Sequence, residues 1–204
     1  MVKAAAATTA TGSAHEPLAM FRRWFAEARR AGIDLPEAMA LATADTSGRP
    51  AVRMVLLKEV SARGFVFFTD GRSRKARDLH ENPTAAVAFY WHEIGKQVCI
   101  KGRIEEVTAR EADAYWATRP IGSRLAASVS TQSAPLESRG RLLAAWRRLE
   151  RQVRGAAIPR PPRWTGYRLL PSEIEFWRRG EFRLHHRIHY VRQRGGWRRT
   201  LLQP

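Results

Sequence analysis

The stretch KQVCIKGRIEEV, residues 96–107, constrains the fold more than any other. Val98, Ile100 and Ile104 alternate with Lys101, Arg103 and Glu105, the period of two that marks a strand with one buried and one solvated face. AMALATAD, PAVRMVLLKEV, GFVFFTD and TAAVAFYW precede it as short strand-like runs, separated by turn signals such as DTSGRP and SARG. GYRLLPSEIEFW, FRLHHRIHYVRQ and GWRRTLLQP return to the same character towards the C-terminus. Short strands at regular spacing predict an antiparallel barrel or sandwich rather than a βαβ fold.

Helical patterns interrupt the strands. In PLAMFRRWFAEARRAG, Leu18, Phe21, Phe25 and Ala28 fall at helical spacing, and Gly32 is a stop signal. SRKARDLHEN, TAREADAYWATR and LESRGRLLAAWRRLERQVRG read as further helices. The expected class is therefore α+β, an antiparallel barrel with peripheral helices. A chain of 204 residues suits one domain, expected over 16–204 after a disordered tail at 1–15. IPRPPRW, 158–164, reads as a proline-rich connector within that domain.

Lys and Arg total 36 against 19 Asp and Glu, a net charge of +17 that asks for an anionic partner. Nucleic acid, an acidic membrane surface and phosphorylated small molecules are the candidates. Nucleic acid is disfavoured, because the cations are spread over several elements and no zinc-finger, KH or RNP-type motif occurs. No apolar run approaches the ~20 residues of a membrane span. The N-terminal stretch lacks the apolar core of a signal peptide, so a cytoplasmic protein is expected. Cys99, the one cysteine, excludes an intrachain disulfide and a multi-Cys zinc site. Neither GxGxxG nor GxxxxGK[ST] is present.

Three basic stretches are candidate sites. In RGEFRLHHRIHY, 179–190, strand parity places Arg183, His185, Arg187 and His189 on one face, with Phe182, Leu184, His186, Ile188 and Tyr190 on the other. A metal is not expected there. His185 and His189 lie roughly 13 Å apart along a strand, and two arginines on their face repel a cation. In RMVLLK, 53–58, Lys58 shares a parity with Met54 and Leu56, so it either snorkels to solvent or meets an anion. In GRSRKARDL, 71–79, Ser73 is placed to cap a helix whose first turn holds Arg74 and Lys75. Those cations oppose the helix dipole unless a phosphate binds there; otherwise the segment is a basic surface turn.

Taken in order, RMVLLK, FFTDGRSRKA, YWHEIGKQVCIKG, YWATRP, STQS, EFW, RLHHR and the LQP ending resemble the pyridoxine (pyridoxamine) 5′-phosphate oxidases, from about Pro17 to Pro204. The resemblance implies an FMN-binding split β-barrel that forms a homodimer with FMN at the interface. It implies FMN contacts at Arg53, Met54, Val55, Leu56, Leu57, Lys58, Phe68, Thr69, Arg74, Lys75, Gln97, Gln132, Ser133, Trp177 and Arg187. A phosphorylated B6 vitamer would meet Lys58, Tyr115, Arg119 and Ser123, with Arg183 and His185 over its pyridine ring. Arg183 and His185 are the implied catalytic residues, and Asp45 is a further proton-handling candidate. The implied reaction is oxidation of pyridoxine or pyridoxamine 5′-phosphate to pyridoxal 5′-phosphate, with O2 as acceptor and H2O2 as product. Two phosphorylated ligands would account for cations drawn from several elements.

The chain departs from the family pattern in three places. His186 stands where an acidic residue is usual, an Ala/Thr-rich segment replaces a basic N-terminal stretch, and RLAAS, 124–128, replaces a segment that often holds Gly and Trp. The alternatives are an FMN oxidase of another aromatic substrate, such as a phenazine precursor, and a flavin- or PLP-binding protein without turnover.

Overall fold

The computed structural model describes residues 11–12, 16–153 and 156–204. Among them the chain forms β1 (Thr11–Gly12), α1 (Glu16–Arg30), β2 (Ala38–Ala44), β3 (Pro50–Leu56), β4 (Glu59–Ser61), β5 (Gly64–Asp70), α2 (Arg74–Glu81), β6 (Thr84–Trp91) and β7 (Lys96–Glu106). There follow α3 (Ala109–Thr118), α4 (Ile121–Val129), α5 (Arg139–Val153), β8 (Trp164–Arg178), a 3-10 turn (Glu181–Arg183), β9 (His186–Gln193) and β10 (Gly196–Leu202). The strands make one curled antiparallel sheet in the order β1-β10-β9-β8-β7-β6-β2-β3, with β4 on β5 and β5 on β8. This is the expected α+β split barrel. Most of the expected tail, residues 1–10 and 13–15, lies outside the described residues, while Thr11–Gly12 pairs with β10.

The alternation read in the sequence is the alternation of burial. Val98, Ile100 and Ile104 of β7 are buried, as are Ala85, Val87, Phe89 and Trp91 of β6 and Met39 and Leu41 of β2. Helix α1 lays Leu18, Phe21 and Ala28 against this face, with Phe21 edge-on to Phe65 and Phe89. Its C-terminus closes at Gly32: the Gly32 amide donates to Arg29 and the Ile33 amide to Ala28, with Gly32 at φ 72°. That is a Schellman ending, in which glycine supplies the left-handed residue.

β8 organises the sheet. Residues Trp164–Leu169 pair with β5, residues Glu173–Arg178 pair with β9, and nearly the whole strand pairs with β7. The exchange of neighbours falls at a bulge. Lys101 faces Glu173 and Gly102 faces Pro171, so Ser172 is the extra residue. Pro171 has no amide to give a ladder, which suits it to a bulge. Opposite it, a Cβ on Gly102 would lie 2.0 Å from the Leu170 carbonyl oxygen.

Three sequence expectations change. The single strand expected through PAVRMVLLKEV is two, because the chain turns at Leu57 and Lys58, whose amides donate to Glu37 and Val66. Helix α4 was not anticipated. The strand expected from Phe182 begins only at His186: Phe182 and Arg183 take left-handed φ values of 50° and 65° in the 3-10 turn. Strand parity therefore does not extend to Arg183 and His185.

Replacing Gly102 with alanine should destabilise the protein by about 2–3 kcal/mol through overpacking at the bulge. Chemical denaturation measures this, and an unchanged midpoint would show that the close approach to Leu170 is unimportant.

Candidate active site

β3, an edge strand, forms one wall of a cleft of about 820 Å³ through Arg53, Met54, Val55 and Leu56, and Lys58 follows at the turn. Phe68 and Thr69 of β5, Arg74 and Lys75 at the start of α2, and Tyr115 and Arg119 of α3 and its C-cap complete most of the remainder. Ser123 of α4 and the Gln132–Ser133 turn close it. Leu57 does not line it; its side chain is buried in the core.

Aromatic stacking sets the floor. Phe68, Tyr115 and Trp164 form a cluster of near-parallel rings, with centroids 4.2 Å apart for Phe68 and Tyr115, 5.1 Å for Phe68 and Trp164 and 6.1 Å for Tyr115 and Trp164. A Cβ at Gly166 would stand 2.6 Å from the Phe68 ring, so glycine there makes room for the stack. The Arg119 guanidinium lies over Trp164 at 4.7 Å and Trp116 at 5.2 Å, as cation–π contacts require. Its Nη1 is buried without a hydrogen-bond partner. An unpartnered buried guanidinium nitrogen in a cleft wall is a receptor for an anion.

The second feature is charge without neutralisation. Lys75 is buried, and its ammonium donates to Thr69 Oγ1 at 3.0 Å, Ser73 Oγ at 3.3 Å and Gln132 Oε1 at 2.7 Å, all uncharged acceptors. Thr69 Oγ1 in turn donates to Gln132 Oε1 at 2.7 Å. Burial, and then the charge of Arg53, push the Lys75 pKa down to about 8. The Ser73 side chain, expected to cap α2, makes no capping bond. Arg53 is better balanced: it donates to Thr43 Oγ1 at 2.7 Å and lies 3.7 Å from Asp78, which also accepts from Thr43.

The helix that carries Tyr115 is fixed at its other end. Thr108 and Glu111 form a capping box, and Arg168 on β8 donates to Glu111 at 2.7 Å. That bond, followed by those from Thr108, holds the Glu111 carboxyl at about 2.

The other candidates gather elsewhere. Gln97, Trp177 and Arg187 are direct cross-strand neighbours on β7, β8 and β9, a row three strands wide. The His185 ring lies 4.6 Å from Trp177. The Gly180 amide donates to His185 Nδ1 at 3.3 Å, which leaves the proton of the neutral ring on Nε2. Arg187 is held by a bidentate pair with Glu175 at 2.8 and 3.0 Å, which raises its pKa, and it donates to the Gln203 carbonyl. His185, His186 and Arg187 line a separate cleft of about 470 Å³, and Arg183 lies in the exposed turn beside it, outside both walls. None of Gln97, Trp177, Arg183, His185 and Arg187 lines the larger cleft.

Asp45, the further proton-handling candidate, belongs to neither group. It sits in the β2–β3 turn, where Oδ1 accepts from the Ser47 and Arg49 amides at 3.0 Å each and Oδ2 accepts from the Arg49 side chain. The Arg49 amide is the main cause of its lowered pKa. It lines neither cleft, and its hydrogen bonds shape the turn. Trp164, Asp78 and Glu175 were missed by sequence reasoning. Trp164 ends a proline-rich run that reads as a connector, and the two acids show their partners only once strands and helix are packed. Among the described residues, no three His, Cys, Asp or Glu side chains gather as a metal site, and no helix is long and apolar enough to cross a membrane.

Comparison with known proteins agrees with this geometry. Residues 25–177 match the family model described as pyridoxamine 5′-phosphate oxidase, and residues 164–204 match the pyridoxine 5′-phosphate oxidase C-terminal dimerisation region. The chain belongs to the pyridoxamine 5′-phosphate oxidase family. A relative from Rubrobacter xylanophilus named pyridoxine/pyridoxamine 5′-phosphate oxidase is 50% identical over 95% of this chain and 89% of its own. Its namesake from Anaeromyxobacter dehalogenans is 50% identical over 94% and 97%. Among solved structures, PhzG from Burkholderia lata 383, in complex with tetrahydrophenazine-1-carboxylic acid, is 39% identical, covers 92% of each chain and has a TM-score of 0.89. A pyridoxamine 5′-phosphate oxidase-related, FMN binding protein from Nostoc punctiforme is 21% identical, with 90% and 97% coverage and a TM-score of 0.73, a likeness of fold.

Because burial lowers the Lys75 pKa to about 8, its ammonium should cost the fold stability at neutral pH, a cost relieved as pH rises from about 8 towards 10.5. A phosphomonoester dianion that meets Lys75 needs the ammonium, so its affinity should fall as pH rises through about 8. Calorimetric titration at pH 7.5 to 9.5 checks this. Lys75→Met should weaken binding and remove the pH step; an unchanged step would place the titrating group elsewhere.

Proposed function

We propose that this chain is an FMN-dependent oxidase that converts pyridoxine 5′-phosphate, pyridoxamine 5′-phosphate or both to pyridoxal 5′-phosphate, with O2 as acceptor and H2O2 as product and, for the amine, with water consumed and ammonia released. The observation that carries the reading is one cleft with two groups of unneutralised cations. Arg74 and Lys75 stand at the start of α2, and Arg119 stands beside Tyr115 and Ser123 near Lys58. Two phosphates, one of a cofactor and one of a substrate, match two such groups better than one anion does.

The residues present fit FMN. The buried Lys75 ammonium, with only neutral acceptors, and the amide end of α2 suit its phosphate. The β3 residues Arg53–Leu56 and the Gln132–Ser133 turn border the space beside them. When bound, FMN supplies a two-electron acceptor for the hydride equivalent leaving C4′ of the vitamer, and O2 takes those electrons on to H2O2. The protein's part is orientation. Arg119, Tyr115, Ser123 and Lys58 fix the substrate phosphate, and Arg183 and His185 cover the pyridine ring. His185 presents Nε2–H, because Nδ1 is taken by the Gly180 amide. Holding C4′ in place is a proximity effect.

A homodimer joins the two separated groups. The Gln97–Trp177–Arg187 row, with Arg183 and His185, then comes from a second copy to close the cleft of the first, as a two-fold interface permits. Support comes from the C-terminal dimerisation region over residues 164–204, which contains Trp177, Arg183, His185 and Arg187. The exposure of Val52 at 71%, Met54 at 63% and Leu201 at 66% suits apolar surface awaiting cover.

A second reading, oxidation of a phenazine precursor, is favoured by the likeness to PhzG. The phosphate-suited set Tyr115, Arg119 and Ser123 in the cleft wall favours the vitamer.

The purified protein should be yellow, release FMN on denaturation and form pyridoxal 5′-phosphate from either vitamer phosphate in air. Turnover of a dihydrophenazine carboxylate with none of either vitamer would select the second reading, and a colourless folded protein would defeat both. Arg119→Gln should raise KM for the vitamer phosphates by about tenfold or more, with kcat less affected, since a charge-assisted phosphate contact is lost. Arg183→Leu should lower kcat while FMN stays bound; steady-state kinetics on the yellow variants separates these outcomes.

A further inference from the structure

The turn that closes one side of the cleft is held from behind by a residue outside it. Gln132 and Ser133 are the central residues of a turn in which the Ala134 amide donates to the Thr131 carbonyl at 3.1 Å. Ser133 has φ 69°, the left-handed region that favours glycine. A serine stays there only where its surroundings hold it. Residues 131–134 are exposed, so core packing does not supply that hold.

Arg163 supplies it. Its Nη2 donates to the carbonyls of Ala127, Ser128 and Ser130 at 3.0, 2.9 and 3.2 Å, and its Nε donates to Asp70 Oδ2 at 3.1 Å. Ala127 and Ser128 belong to the last turn of α4, whose carbonyls lack partners within the helix. Ser130 leads into the turn. Asp70 ends β5, directly after Thr69 of the cleft wall. One planar guanidinium thus ties three pieces together: the strand bearing Thr69, the helix bearing Ser123 and the turn bearing Gln132. A lysine ammonium has no such fork. Asp70 reinforces the tie by accepting from the Arg72 amide at 2.8 Å, and Arg72 Nη2 donates to Thr131 Oγ1 at 3.1 Å.

The consequence reaches the cleft through Gln132. Its Oε1 accepts from both Lys75 Nζ and Thr69 Oγ1. Should the turn drift, the buried ammonium loses its shortest hydrogen bond and the cleft loses a wall. Arg163 itself lines no part of that cleft.

We propose that Arg163, paired with Asp70, is a positioning residue that holds the Gln132–Ser133 turn and thereby sets how firmly the cleft keeps its phosphate-bearing cofactor. This rests on the FMN reading above. The test is FMN release from the full-length holoprotein, followed as flavin fluorescence recovering after dilution. Wild type, Arg163→Met, Arg163→Lys, Gln132→Ala and the double variant Arg163→Lys/Gln132→Ala are compared. Arg163→Met, Arg163→Lys and Gln132→Ala should each speed release about tenfold, and the double variant should match Gln132→Ala to within about twofold, as residues acting through one contact do. Effects that multiply in the double variant overturn the inference. So do Arg163 variants that melt earlier yet release FMN at the wild-type rate, since that is a purely structural role. If Arg163→Met does not fold, Arg163→Lys and Asp70→Asn carry the same comparison. A wild-type chain that keeps no FMN overturns both this inference and the reading beneath it. Retained FMN with wild-type release in every Arg163 variant overturns this inference alone.

Discussion

The bend of β8 at Pro171 and Ser172 is the constraint on which the site depends. A straight strand has the same two neighbours along its length. By bulging opposite Gly102, β8 pairs with β5 on one side of the bend and with β9 on the other. Its first half carries Trp164 under the Phe68 stack, and its second half carries Trp177 beside His185. The two groups of candidate residues flank this bend and lie apart within one chain, which is the separation that the proposed homodimer would close.

Electrostatics then divides the cations into structural and available ones. Arg168 is ion-paired with Glu105 and Glu111 although its Nε has no partner, Arg163 is ion-paired with Asp70 and bonded to three carbonyls, and Arg187 is ion-paired with Glu175. These build the walls. Lys75 and Arg119 are different, because among the described residues neither forms an ion pair: Lys75 has only neutral acceptors, and Arg119 has a buried nitrogen with no partner. Burying such groups is costly, and an anion removes the cost. The excess charge of the whole chain is less informative than this local division, because most of it is solvated or paired.

The proposed vitamer and the phenazine precursor are both planar, ring-based reductants, and the same cleft floor could hold either. Chemistry at the far end of the cleft separates them. Tyr115, Arg119 and Ser123 sit on α3, its C-cap and α4, and α3 is anchored by the Arg168–Glu111 pair and the Thr108 capping box. On the proposed reading, a preference for a phosphate would rest on the placement of α3, in the same cleft as the flavin-suited β3 and α2 residues.

The sequence by itself determined the fold class, since period-two burial in β6 and β7 and the glycine stop of α1 are local properties of the chain. Of the residues that the family resemblance implied, Arg53 to Leu56, Lys58, Phe68, Thr69, Arg74, Lys75, Tyr115, Arg119, Ser123, Gln132 and Ser133 line one cleft. The run RGEFRLHHRIHY shows the limit. Parity assumes an unbroken strand, and two left-handed residues end it before His186. Asp45 shows another, because a carboxylate's availability depends on which amides its turn directs at it. Tertiary structure alone decided which cations remain unneutralised and that Arg163, in a segment that reads as a connector, braces the cleft. Those properties depend on contacts between residues 35 to 93 positions apart, and no local pattern in the chain encodes such distances.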